Sequence, residues 1–175
     1  MMPEGRMERQ LAAPQANLGL DREGREAVVE GLNQLLADEL VLYVKTRNYH
    51  WNVIGPEFPG LHPLFEQQYE VLGEVLDEVA ERARALGGWA FASLAGCLER
   101  TRLEERPNGE LAAQDMVRDL MVSHEAVVRH LREVLATAEE HNDSGTTNLL
   151  EDLVARHEKM AWMLAATHAR PSGSR

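Results

Sequence analysis

Apolar residues recur every three or four positions along most of this chain, which is the period of an amphipathic helix. The first such stretch begins after Asp21, a residue suited to cap a helix N-terminus, and continues to about Val53. Its apolar positions are Val28, Leu32, Leu35, Leu36, Leu40 and Tyr43. A segment rich in glycine and proline at residues 55–60 then interrupts the pattern, so we predict that a first long helix ends before it.

A second helix is predicted to begin shortly before Pro63, because proline is tolerated only in the first turn of a helix. It continues to Leu86, where a Gly-Gly pair ends it. Its apolar positions are Leu64, Val71, Leu72, Val75, Leu76 and Val79. The short loop between the two helices makes them antiparallel neighbours, which brings His50 close to His62.

Residues 89–109 form a long connection that is apolar enough at its start for a short helix. A third helix is predicted from about Glu110 to Glu140, and a fourth from Asp143 or Ser144 to about His168. Long helices with one long middle connection predict an all-α fold, a ferritin-like four-helix bundle. We therefore predict a flexible N-terminal tail (1–20), a single bundle domain (21–168) and a C-terminal tail (169–175).

The second helix also carries a stripe of potential metal ligands. His62, Glu66, Asp77 and Glu81 follow one another at spacings of 4, 11 and 4, which places them on one helix face. Imidazole and carboxylate suit iron, manganese and zinc. The alternative is an ordinary solvated face of a charged helix.

His62 and Asp77 are about 22 Å apart along the helix axis, too far for one ion to contact both. The stripe therefore predicts either two half-sites in one chain or a site completed by a two-fold-related second chain.

The length, cysteine content and charge of the chain limit which classes of protein it can belong to. The 175 residues suffice for one domain with a full core, and no segment has the apolar length of a membrane span or the pattern of a signal peptide. A single cysteine, Cys97, cannot form an internal disulfide, so we predict a buried thiol and a reducing, cytoplasmic setting. The net charge of −11 opposes general nucleic-acid binding and suits attraction of cations.

Several of these residues form a known signature. His50-Trp51-Asn52, then His62, then Asp77-x-x-x-Glu81-Arg82, and finally Leu86-Gly87-Gly88 together resemble the Dps family, the starvation-induced mini-ferritins. The resemblance covers about residues 21–168, including the stretch from His157 to Leu164 in the last helix.

The resemblance implies a homo-oligomeric shell, a dodecamer, that oxidises iron(II) with hydrogen peroxide or oxygen and stores ferric mineral inside. It implies that His50 and His62 come from one subunit and that Asp77 and Glu81 come from its two-fold partner. Glu66 stands where the family has an acidic ligand or bridge, and Trp51 where it has an aromatic beside the metal centre. Among the acids that line the family's pores, Glu139 is matched, whereas Ser144 and Asn148 depart from the pattern. Glu140, Asp143 and Glu151 are close enough in sequence to compensate.

Other chemistry is less well supported by the sequence. A di-iron centre inside the bundle would need Glu-x-x-His on two helices, and none of the seven histidines has Glu three residues before it. We expect His124 and His130 to be surface or interface residues, and His157 to be exposed or paired with Asp152 or Glu158. Met160, Trp162 and Met163 are predicted to lie in the core.

Two other functions stay open at this point. The first is a DNA-condensing nucleoid protein, although Lys45 and Lys159 are the only lysines and neither lies in a tail, so we expect weak or absent DNA binding. The second is an inert helical shell without ferroxidase activity. Loading the purified protein with iron separates the inert shell from the enzyme.

Overall fold

The computed structural model describes residues 16–106 and 109–168. This part of the chain forms five helices, α1 (Arg22–Asn52), α2 (Phe58–Ala85), α3 (Leu94–Arg100), α4 (Ala113–Glu140) and α5 (Ser144–His168), and no strand. Four are long and one is short, as predicted for a ferritin-like bundle with a short helix in its middle connection. Residues 1–15 of the predicted N-terminal tail (1–20) and all of the predicted C-terminal tail (169–175) lie outside the described residues.

Local signals set the ends of the first two helices. The side chain of Asp21 caps α1 by accepting a hydrogen bond of 2.6 Å from the backbone N–H of Gly24. After α2, Gly87 has a φ of +85°, a left-handed conformation that glycine adopts without strain. The backbone N–H of Gly88 then donates to the carbonyl of Ala83 at 2.9 Å, which closes the helix end. The third long helix begins at Ala113, three residues later than predicted, and its N-cap Ala112 offers no side-chain hydrogen bond.

The helices pack as two antiparallel pairs, α1 with α2 and α4 with α5, and α1 also packs against α4 and α3. Fully buried leucines and one phenylalanine fill the space between them: Leu32, Leu35, Leu42, Leu61, Phe65, Leu72, Leu120, Leu131, Leu150, Leu153 and Leu164. Cys97 is buried in α3, as predicted. None of the helices in the described ranges is both long and apolar enough to cross a membrane.

Candidate metal centre

The two candidate histidine ligands meet where α1 ends and α2 begins. The imidazole rings of His50 and His62 stack with their centroids 3.8 Å apart and their planes 21° apart. His50 is buried, and His62 is half-buried beneath the ring of Phe58, whose centroid is 4.8 Å from that of His62. The loop between the helices brings together two histidines that are 12 residues apart in sequence, as predicted.

Each of these histidines is oriented by the backbone of the other. Nδ1 of His50 lies 2.8 Å from the carbonyl oxygen of His62, and Nδ1 of His62 lies 2.8 Å from the carbonyl oxygen of His50. A carbonyl oxygen only accepts, so each Nδ1 must carry the hydrogen and donate it. In the neutral ring this fixes the tautomer and leaves Nε2 with a free lone pair, which is how metal-binding histidines are held.

Glu66 lies one helical turn beyond His62 and is half-buried. The phenol of Tyr69 donates a hydrogen bond of 3.3 Å to Glu66 Oε1, and the Tyr69 ring meets that of His50 edge-on at 5.2 Å. Burial and then the nearby Glu66 carboxylate raise the pKa of Tyr69, so its phenol keeps the donated hydrogen. Our sequence interpretation missed Tyr69, although its position three residues after Glu66 places the two on one helix face.

The predicted acidic ligands Asp77 and Glu81 are exposed on α2 and lie far from the histidines of the same chain. The separation from His62 to Asp77 along the helix is about 22 Å. Within residues 16–106 and 109–168 of one chain, no three His, Cys, Asp or Glu side chains form a group that can hold a metal ion. One chain thus presents two separate sets of donors at two places on its surface.

Trp51 stands beside the histidine pair with 64% of its side chain exposed. The Arg47 guanidinium lies 5.2 Å from the Trp51 ring centroid and 4.5 Å from the Tyr69 ring centroid, within cation–π range of both. Arg47 also donates a 2.7 Å hydrogen bond to the hydroxyl of Tyr43. These contacts fix an exposed indole at the edge of the candidate centre.

The other histidines differ from our expectation. His124 and His157 are fully buried, and His130 is only 4% exposed, so the prediction of surface positions is wrong. His130 contacts Asp38, and His157 contacts Glu39, not Asp152 or Glu158. Their partners lie on α1, and the helical spacing within α4 and α5 gives no sign of which α1 residue faces them.

Two further expectations also need correction. Trp162 is 66% exposed, so it lies on the surface of the single chain, whereas Met160 is buried as predicted. Asp143, proposed as a substitute pore acid, is 3% exposed and accepts a 2.6 Å hydrogen bond from Arg82. A carboxylate that is buried and paired cannot attract iron from solvent, whereas Glu139 and Glu140 are exposed and remain available for that role.

Comparison with known proteins agrees with this architecture. Residues 29–171 match the Ferritin-like domain family. The chain is 44% identical over 152 residues to an uncharacterized low temperature-induced protein of Nostoc sp., across 86% of this chain and 85% of that protein. It is 38% identical over 139 residues to DNA protection during starvation protein 2 of Bacillus anthracis, across 79% of this chain and 94% of that protein.

The fold is also that of a solved Dps protein from Vibrio cholerae, described as a member of a broad superfamily of ferritin-like diiron-carboxylate proteins. The two structures have a TM-score of 0.84 and 33% sequence identity, and the match covers 90% of this chain and 99% of that one. This chain therefore belongs to the Dps family of ferritin-like proteins, as the matched domain, the starvation-protein relatives and the shared fold all show.

Proposed function

We propose that this protein is a ferroxidase that oxidises iron(II), preferably with hydrogen peroxide, and stores the ferric product inside a homo-oligomeric shell. The reciprocal arrangement of His50 and His62 is the observation that carries the proposal. It holds two imidazoles in fixed orientations, His50 buried and His62 half-buried, with both Nδ1 atoms bonded to carbonyl oxygens so that both Nε2 atoms are left for a metal ion. A histidine whose Nδ1 donates to a backbone carbonyl is oriented as metal-binding histidines commonly are, which supports the proposal.

The remaining ligands are proposed to come from a second subunit. Under a two-fold axis, antiparallel α2 helices bring His62 of one chain to Asp77 and Glu81 of the other, and the reverse contact forms as well. The exposure of Asp77 and Glu81 in the single chain fits this arrangement, because both carboxylates are free to meet a partner. Glu66 lies close enough to His62 to serve as the acidic ligand or bridge on the histidine side.

The mixed ligand set suits the chemistry of iron oxidation. Neutral imidazole nitrogens bind iron(II), and the anionic oxygens of the carboxylates favour the iron(III) product. Two iron(II) ions supply one electron each to one molecule of hydrogen peroxide. The O–O bond breaks, two protons are taken up, and two molecules of water form without release of hydroxyl radical. The role of Trp51 in this scheme is to give up an electron when only one iron(II) is present.

The shell is proposed to be a dodecamer in the cytoplasm. Relatives are named for DNA protection, and here we infer that protection is indirect, through removal of iron(II) and peroxide. A net charge of −11 per chain repels the phosphate backbone, and the two lysines, Lys45 and Lys159, lie within the helical bundle and not in an arm. Weak or absent DNA binding is the expected consequence.

The test uses asparagine in place of both histidines. Asn keeps an N–H close to the position of Nδ1, so the bonds to the two carbonyls survive, but it lacks Nε2. His50→Asn with His62→Asn should lower the initial rate of iron(II) oxidation by hydrogen peroxide by more than about tenfold. The rate is measured by stopped-flow absorbance of the ferric product, and light scattering checks that the shell is assembled.

The matched control is His141→Asn, which removes a half-buried histidine at the end of α4 and should oxidise iron at the parental rate. Parental oxidation rates in the double variant would refute the assignment of His50 and His62. Absence of iron oxidation in the parental protein itself would favour the inert shell.

A further inference from the structure

A second cluster of ionisable groups lies inside the bundle, away from the candidate metal centre. Glu39 of α1, His157 of α5 and His124 of α4 are each 0% exposed. Nε2 of His157 lies 2.9 Å from Oε1 of Glu39, and Nδ1 of His157 lies 3.0 Å from Nδ1 of His124. The three side chains thus form a continuous polar chain across three helices, which we term the core chain.

The core chain has no other partners among the described residues. Both carboxylate oxygens of Glu39, Nε2 of His157 and Nε2 of His124 are buried without a hydrogen bond, so the 2.9 Å contact between His157 and Glu39 is a close contact of polar atoms without hydrogen-bond geometry. The remaining buried ionisable groups are engaged elsewhere: Asp38 with His130, Lys45 and Tyr49 with Asp119, Asp143 with Arg82, and His50 with His62. Neither α2 nor α3 contributes a charge, because α2 buries only apolar residues and Gln68, and α3 buries only Cys97.

The contact between the two rings limits where a further proton on His124 can be held. Two nitrogens 3.0 Å apart require one donor and one acceptor. The tautomer decides which of the two rings donates, because Nε2 of His157 makes no hydrogen bond that would fix it. If Nδ1 of His124 donates, a further proton on that ring resides on Nε2, where it has no acceptor. If Nδ1 of His124 accepts, the further proton resides on Nδ1 and faces the N–H of His157.

We propose that the core chain is an acid-sensitive latch, which holds α4 and α5 against α1 at neutral pH and opens when a proton is forced onto His124. Opening lets water reach His124 and solvates the new charge. The closed state resists protonation because an imidazolium there would be buried in the dry interior, beside the second ring. This device is separate from the proposed iron site, since it shares no residue with it.

The direction of the pH dependence follows from the burial of His124. Burial, and then the charge of the neighbouring His157, hold the pKa of His124 well below its ordinary value of 6.5. A group whose pKa is depressed in the folded state binds its proton more readily after opening. The contribution of His124 to stability is therefore complete above about pH 6.5 and is lost progressively as the pH falls towards the folded-state pKa.

Hydrogen exchange of the assembled protein, read by mass spectrometry, tests the latch. After correction for intrinsic exchange rates, the closed-to-open ratio for buried amides of α4 and α5 should fall roughly 20- to 30-fold between pH 7 and pH 5, for one proton taken up on opening. His124→Asn can donate or accept a hydrogen bond towards His157 but cannot titrate, so this dependence should disappear. His141→Asn, which removes a half-buried histidine, should behave as the parent does.

A second measurement uses the parental protein alone, so its outcome does not depend on whether a variant folds. Deuterium exchange at the imidazole carbon between the ring nitrogens reports the titration of each histidine, and His124 should show no titration near pH 6.5. The proposal fails if His124 titrates as a surface histidine, or if the parent and His124→Asn share the same pH dependence. It also fails if the parent retains one equivalent of Zn²⁺ that His124→Asn loses, because the buried nitrogens would then belong to a metal site.

Discussion

Asp38 shows how one buried carboxylate connects separate parts of this bundle. It is 1% exposed and accepts hydrogen bonds from the hydroxyl of Thr101 at 2.8 Å and from the backbone N–H of Arg102 at 2.7 Å. Nδ1 of His130 lies 3.0 Å from its other oxygen. Burial alone would raise the pKa of Asp38, but the hydrogen bonds from His130, Arg102 and Thr101 outweigh it and hold that pKa below its ordinary value.

This network gives a prediction for stability. Asp38→Asn should destabilise the protein by about 2 kcal/mol at pH 7, because hydrogen bonds to a charged acceptor are replaced by weaker ones to a neutral amide. A carboxyl with a depressed folded-state pKa stabilises above its unfolded pKa of about 3.9 and loses that contribution as pH falls through the folded value. The difference in thermal unfolding midpoint between parent and variant should therefore be largest at pH 7 and become smaller below about pH 4. An unchanged midpoint at pH 7 would contradict this account.

Single residues also show which contacts can be predicted from the sequence and which cannot. The pairing of His50 with His62 was predictable, because a short loop between antiparallel helices fixes which ends meet. The pairing of His157 with Glu39, across 118 positions, was not predictable. It depends on how α5 is rotated towards α1, and an isolated amphipathic pattern says only which face is apolar.

At the scale of the helices, the start of α5 is fixed by a cap that also anchors α2. Asp143 accepts from the backbone N–H of Thr146 at 3.1 Å and from its hydroxyl at 2.6 Å. Arg82 of α2 donates to Asp143 at 2.6 Å and to the hydroxyl of Thr146 at 2.8 Å. The sequence predicted the cap position from the residue type, but the link to Arg82 is a tertiary contact that only the structure shows.

Removing this cap should weaken the whole bundle. Asp143→Ala loses an N-cap worth about 1 kcal/mol and leaves the half-buried Arg82 without its carboxylate, so we expect a loss of at least about 2 kcal/mol. Ser144→Ala, at the exposed neighbouring position, is the control and should be nearly neutral. Thermal unfolding followed by circular dichroism compares the two. Equal midpoints for both variants would contradict the role of Asp143 in capping α5 and anchoring it to α2.

At the scale of the whole molecule, the central feature is the division of the donor set. The histidines meet at the start of α2, exposed Asp77 lies about 22 Å further along that helix, and exposed Glu81 lies one turn beyond Asp77. The helix count, the loop and the spacing of the stripe were all predictable from periodicity. A single chain does not contain the partner surface, so we propose that the complete site forms only in the assembly.

Mixed shells test this division most directly. Subunits with His50→Asn and His62→Asn are unfolded and reassembled at equal amounts with subunits carrying Asp77→Asn and Glu81→Gln, and iron(II) oxidation is measured by stopped flow. Each variant alone should be inactive. In a random mixture half of the dimers contain one subunit of each kind, and one of the two sites in such a dimer is intact, so about a quarter of the parental activity should return. If the mixture is as inactive as its components, the ligands do not come from two subunits and the shared site is wrong.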